Sequence, residues 1–134
     1  MFNTAAKILI IDDMLTIRKI AKKILSDLHF SNIFEASDGA EAWQIINTQG
    51  PFDVIISDWN MPKMDGLTLL QHLRSHPEFS ETPFILLTAE SDMDQVRLAA
   101  DSGVDNYILK PFTNETFITK LEKTHKKYIM KKAV

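Results

Sequence analysis

The chain has 134 residues, 45% of them hydrophobic and 25% charged, with a formal net charge of −3; these are the proportions of one globular domain with a sizeable core. The slightly acidic balance offers no basic field for nucleic acid. The absence of cysteine excludes disulfides, thiolate catalysis and thiolate metal sites. No apolar run approaches the roughly 18 residues needed to cross a bilayer.

Met1 to Lys7 lacks a basic stretch followed by an apolar one, so no signal peptide is expected and the cytoplasm is the expected compartment. After a short N-terminal extension (1–6), Lys7-Ile8-Leu9-Ile10-Ile11 reads as a buried strand that ends in Asp12-Asp13. Ile17, Ile20, Ala21, Ile24, Leu25 and Leu28 then recur at helical spacing and predict one apolar stripe. Asn32-Ile33-Phe34-Glu35-Ala36 is a short second strand. Ala40, Ala42, Trp43, Ile45 and Ile46 form a second helix, closed by Gly50-Pro51. Phe52-Asp53-Val54-Ile55-Ile56-Ser57 is a third strand, running into Asp58. Leu67, Leu69, Leu70 and Leu73 mark a third helix that stops before Pro77.

Phe84-Ile85-Leu86-Leu87 is a fourth strand ending at Thr88. Ser91 and Asp94 have the spacing of a capping box, opening a fourth helix that closes at Gly103. The apolar set of this helix is thin: Met93, Val96, Leu98, Ala99 and Ala100. It fits either an edge helix with a narrow buried stripe or a loosely packed helix free to move or meet a partner. Tyr107-Ile108-Leu109 is a fifth strand, ending in Lys110-Pro111, and Phe117, Leu121 and Tyr128 share one side of a last helix. Strand and helix alternate throughout. Right-handed crossovers then predict an α/β fold with a doubly wound parallel sheet.

In such a sheet ligands bind beyond the carboxyl ends of the strands, where Asp12, Asp13, Asp58, Thr88 and Lys110 would gather. Clustered carboxylates repel unless a cation joins them. All-oxygen ligands favour a hard ion, Mg²⁺, held by one or two carboxylates with water and a phosphate. A carboxylate such as Asp58 can serve as nucleophile towards a phosphoryl group. Lys110 would supply a fixed positive charge and Thr88 a hydroxyl donor. Pro111 allows a cis bond at Lys110–Pro111, which would turn Lys110 back over the site.

Asp12-Asp13, the stretch from Asp58 to Gly66 (Asp-Trp-Asn-Met-Pro-Lys-Met-Asp-Gly), Thr88-Ala89-Glu90 and Lys110-Pro111-Phe112-Thr113 resemble the response-regulator receiver domains of bacterial two-component signalling, and among them the chemotaxis regulators. The resemblance covers a receiver region of 7–126 and leaves a basic tail at 127–134, the end of the last helix. It implies a five-stranded flavodoxin-like (βα)5 sheet in the order 2-1-3-4-5. It implies that Asp58 is the phosphoacceptor, with Thr88 and Lys110 on the phosphoryl oxygens. Mg²⁺ would be held by Asp13, Asp58 and the Asn60 backbone carbonyl, with Asp12 acting through a water. Asn60 and Glu90 would flank the phosphoryl group and modulate hydrolysis. Tyr107 falls at the family's switch aromatic, and Met93, Lys120 and Lys123 would share the partner surface with it.

The implied function is a stand-alone response regulator, not an enzyme acting on a separate substrate. The implied partners are a CheA-like sensor histidine kinase, a flagellar motor switch protein or another target, and a phosphatase. Output would be by binding, as a monomer, without nucleic acid or membrane; the alternative is a receiver in a non-motility pathway or a phosphate sink. Ser91-Asp92-Met93 departs from the family's lysine-bearing stretch at that point. The basic tail from Lys126 to Lys132 suits a helix C-terminus, and Trp59 is expected as a partly exposed reporter of the site. Two other classes fit less well. A phosphatase with an Asp nucleophile would need a second carboxylate as general acid where Asn60 stands. A flavin domain would need a hydroxyl- or glycine-rich phosphate loop where Asp12-Asp13-Met14-Leu15 stands.

Overall fold

A computed structural model of the chain describes residues 1–89 and 93–133. Its elements are β1 (Ile8–Ile11), α1 (Leu15–Asp27), β2 (Ile33–Ala36), α2 (Gly39–Gln49), β3 (Val54–Asp58), α3 (Gly66–Ser75), β4 (Phe84–Thr88), α4 (Met93–Asp101), β5 (Asn106–Leu109) and α5 (Asn114–Lys132). All five strands pair in parallel, in the order β2-β1-β3-β4-β5. The expected doubly wound topology is the one observed.

Successive residues of a strand point to opposite faces, so each apolar strand fills two cores. Ile8, Ile10, Val54, Ile56, Ile85, Leu87 and Ile108 pack with Ala21, Ile24 and Leu25 of α1 and with Phe117 and Leu121 of α5. Leu9, Ile11, Ile55, Phe84 and Leu86 pack on the other face with Ala42 and Ile46 of α2, Leu69, Leu70 and Leu73 of α3, and Ala99 of α4. Of α4 only Ala99 is buried, and Met93 and Leu98 are exposed, so the narrow stripe is what the fold contains. The Ser91 half of the expected capping box lies outside the described residues.

Among the described residues, side-chain caps start three of the helices. Asp38 accepts the Glu41 N–H, Asp65 the Thr68 N–H and Thr113 the Thr116 N–H, each satisfying a donor that the first turn leaves open. α1 lacks such a cap at Met14; instead Asp12 Oδ1 accepts the Met14 N–H at 2.9 Å. One expectation of burial fails at a helix edge. Ile20 is 43% exposed, because it lies at the rim of a stripe narrower than its run of apolar residues. Phe2 and Ala6 are buried, with the Phe2 ring 4.5 Å from that of His125. α5 continues unbroken to Lys132, which pairs with Glu81 at 2.8 Å.

At the far end of the sheet Arg74 donates to the carbonyls of Ser80, Thr82 and Gly103 and to Asp105. Asp105 also accepts the Phe84 N–H at 2.8 Å, so this network seats the start of β4. At the functional end, α3 begins against β3. A Cβ at Gly66 would lie 2.2 Å from the Asp58 carbonyl oxygen. Only glycine lets the helix start this close to the strand end.

Candidate functional site

Sheet register brings the expected residues together. Ile11 pairs with Ser57, so Asp12 follows β1 beside Asp58. Asp58 pairs with Leu87 and Thr88 with Leu109, which puts Thr88 and Lys110 one step along the same edge. Ligand oxygens of Asp12, Asp13 and Asp58 lie within 4.8 Å of one another. Asp12 is fully buried, Asp58 is 7% exposed and Asp13 is exposed.

Lys110 closes the cluster. Its Nζ lies 2.8 Å from Asp12 Oδ2 and 3.1 Å from Asp58 Oδ1. The Lys110–Pro111 bond is cis, and the Lys110 N–H donates to the Thr88 carbonyl at 2.8 Å. Burial opposes the ammonium, but the hydrogen bond to Asp12 and the charges of Asp58 and Asp12 outweigh it and hold Lys110 above the ordinary lysine pKa. Asp58 is held above the ordinary carboxyl pKa, first by burial and then by the Asp12 charge, with Lys110 pulling the other way.

The sign of the resulting pH effect is set by that upward shift. A carboxyl with a raised folded pKa binds its proton more tightly in the native state. Stability is then present below the unfolded pKa and is lost as pH rises through the folded one. Urea titrations across that window should show wild type losing stability with pH relative to Asp58→Asn, which lacks the ionisation. Parallel curves would refute the raised pKa of Asp58.

Thr88 is buried at the end of β4, and Asn60 is exposed just beyond Asp58. Glu90, expected beside the site, lies outside the described residues. Tyr107 is half-buried on β5, and Lys120 Nζ stands 4.8 Å from its ring centroid in cation–π contact. Met93 is 69% exposed, and Lys123 is also exposed. Trp59 corrects the expectation of partial exposure. It is 8% exposed and packs in the layer beneath α2 and α3, because the first residue past Asp58 turns inward. Its N–H donates to the Leu87 carbonyl.

Sequence reasoning missed Arg18, whose Nη1 donates to the Asp12 carbonyl at 2.6 Å and whose Nε meets Glu35 Oε1 at 3.2 Å. Only its place one turn into α1, facing the β1–α1 bend, could have signalled this.

Residues 8–122 match the response regulator receiver domain family, whose members are signalling phosphoacceptors. The chain is 45% identical over 121 residues to chemotaxis protein CheY-3 of Vibrio cholerae, covering 90% of this chain and 92% of that one. It is 44% identical over 117 residues to chemotaxis protein CheY of Pseudomonas aeruginosa, covering 87% and 94%. The solved structure of chemotaxis response regulator CheY4 of Vibrio cholerae superposes with a TM-score of 0.83 at 32% identity, covering 90% of this chain and 98% of that one. Among the described residues no helix is long and apolar enough to cross a membrane. With its strand-edge carboxylates and lysine in place, the chain belongs to the response regulator receiver domain family, as a CheY-like response regulator.

Proposed function

We propose that this protein is a stand-alone, phosphorylation-switched regulator of chemotaxis that takes a phosphoryl group on Asp58 and passes the signal on by binding. The observation that carries the reading is the clamp of Lys110 on both Asp12 and Asp58 at the sheet edge. Asp58 Oδ attacks phosphorus in line, the bond to the histidine nitrogen of a CheA-like kinase breaks, and an aspartyl phosphate forms. Lys110 and Thr88 donate to the phosphoryl oxygens where charge develops. Asn60 and Glu90 modulate the later hydrolysis of the aspartyl phosphate by water.

The donor set fits Mg²⁺: oxygen ligands only, within 4.8 Å of one another, around a fully buried Asp12. Asp13, Asp58 and the Asn60 carbonyl would hold it, with Asp12 acting through a water. Bound there, Mg²⁺ supplies positive charge against the phosphoryl oxygens.

The added charge at Asp58 draws the Thr88 hydroxyl inward and gives Tyr107 room to turn, a two-state element. The surface so altered carries Met93, Tyr107, Lys120 and Lys123, and its partner is a flagellar motor switch protein in the cytoplasm; a phosphatase resets the signal. The receiver spans 7–126, with 1–6 and 127–134 as its flanking extension and basic tail. Immobilised protein should retain a motor switch protein with Mg²⁺ and beryllofluoride, a phosphoryl mimic, and release it without them. Thr88→Ala should still take up a phosphoryl group on Asp58, more slowly for want of one donor, and lose the difference. Equal retention in both conditions would make the protein a phosphate sink.

A further inference from the structure

We infer that Arg18 is a positioning residue for the acidic pair, setting the Asp12–Asp13 peptide and through it the affinity of the site for a divalent cation. The inference rests on the reading that this cluster holds Mg²⁺.

The strand ladder ends at Ile11, which pairs with Ala36 on one side and Ser57 on the other. Beyond it the chain must turn into α1, and a turn leaves backbone groups without ladder partners. The Asp12 N–H still donates to the Ala36 carbonyl at 3.2 Å. The Asp12 carbonyl has passed the ladder, and Arg18 Nη1 meets it at 2.6 Å. That carbonyl belongs to the peptide joining Asp12 to Asp13, so its direction fixes where the Asp13 side chain leaves the backbone.

The Arg18 side chain is itself held. It is 15% exposed, its Nε lies 3.2 Å from Glu35 Oε1 on β2, and Lys22 pairs with the other Glu35 oxygen at 3.4 Å. The guanidinium therefore bridges α1, β2 and the β1–α1 turn with its rigid planar fork, which lysine cannot reproduce. Asp12 Oδ1 is fixed by the Met14 N–H and Oδ2 by Lys110. With Arg18 on its carbonyl, every polar atom of Asp12 has a partner, whereas exposed Asp13 depends on the peptide plane for its placement.

Charge and geometry make opposite predictions. Arg18 is a cation beside a cation site, so its charge alone weakens Mg²⁺ binding, and neutralising it would tighten binding. If Arg18 positions the ligands, neutralising it loosens them and weakens binding; outer-shell substitutions of this kind cost roughly 10–100-fold in metal affinity.

The test is a Mg²⁺ binding curve on the full chain, read by tryptophan fluorescence, for wild type, Arg18→Gln and Arg18→Lys. The positioning role predicts about tenfold weaker binding for Arg18→Gln. Arg18→Lys keeps the charge but not the fork, and should bind Mg²⁺ several-fold more weakly, which carries the test if Arg18→Gln does not fold. Phosphorylation at saturating Mg²⁺ should stay within about twofold of wild type and fall only at low Mg²⁺. Unchanged or tighter binding in the variants, with wild type responding normally, overturns the inference. A wild-type chain that shows no response to Mg²⁺ overturns the metal reading itself, and this inference with it.

Discussion

Incubated with Mg²⁺ and acetyl phosphate, the protein should acquire a single phosphoryl group, stable in acid and labile in base, and Asp58→Asn should acquire none. Asp58 differs from its neighbours in the oxygens it can offer. Asp12 is fully buried and has both oxygens occupied, Oδ1 by the Met14 N–H and Oδ2 by Lys110. Asp13 is exposed at the rim, whereas Lys110, the fixed cation that a transferring phosphoryl group needs, pairs with Asp12 and Asp58. Asp58 uses Oδ1 on Lys110 and stands at the end of β3, between β1 and β4. Burial and the Asp12 charge hold its pKa above the ordinary carboxyl value, with Lys110 pulling the other way. Exchanging the carboxylate for a neutral amide removes the anionic nucleophile, so the expected loss is complete. Label on Asp12 or Asp13 in the variant, at the wild-type rate, would move the phosphoacceptor elsewhere.

The residues of this site were legible because each one ends an apolar run. Asp12, Asp58, Thr88 and Lys110 need only the rule that parallel strands align their carboxyl ends. The β2-β1-β3-β4-β5 order was not available from periodicity, which says nothing about which strands are neighbours; it came from the resemblance. Trp59 was misplaced because a residue just past a strand can turn to either face, and the choice was set by the space beneath α2 and α3. Arg74 and Arg18 were invisible for a different reason. Arg74 reaches Asp105 and Gly103, and Arg18 reaches Glu35 and a backbone carbonyl. Contacts made across the fold by long side chains leave no local pattern in the sequence.

Lys110→Met should have the largest effect on stability of any single change at the site, and the effect should depend on metal. In wild type the ammonium lies 2.8 Å from Asp12 and 3.1 Å from Asp58, offsetting the repulsion between two carboxylates that have little solvent around them. Deleting one partner of a buried pair leaves the other charge uncompensated, at a cost of about 3–5 kcal/mol. Lys110 retains 17% exposure and a carboxyl can take up a proton, so about 3 kcal/mol in chelator is expected near neutral pH. The loss should shrink in acid, where protonation does part of what the lysine did. Mg²⁺ should then recover much of it, because a ligand that binds only the folded state stabilises by RT ln(1 + [L]/Kd). The site without its internal cation should also bind Mg²⁺ more tightly than wild type. Urea denaturation in chelator and in excess Mg²⁺, on both proteins, measures all of this. A variant as stable as wild type in chelator, or one that Mg²⁺ stabilises no more than wild type, would show that Lys110 does not carry the electrostatic balance of the pocket. The same lysine is needed against the phosphoryl oxygens, so the metal-rescued variant should fold and still phosphorylate slowly, by a factor on the order of 10²–10³ if the donor acts as an oxyanion-type group. Recovery of the fold without recovery of the rate would separate the two roles of one side chain.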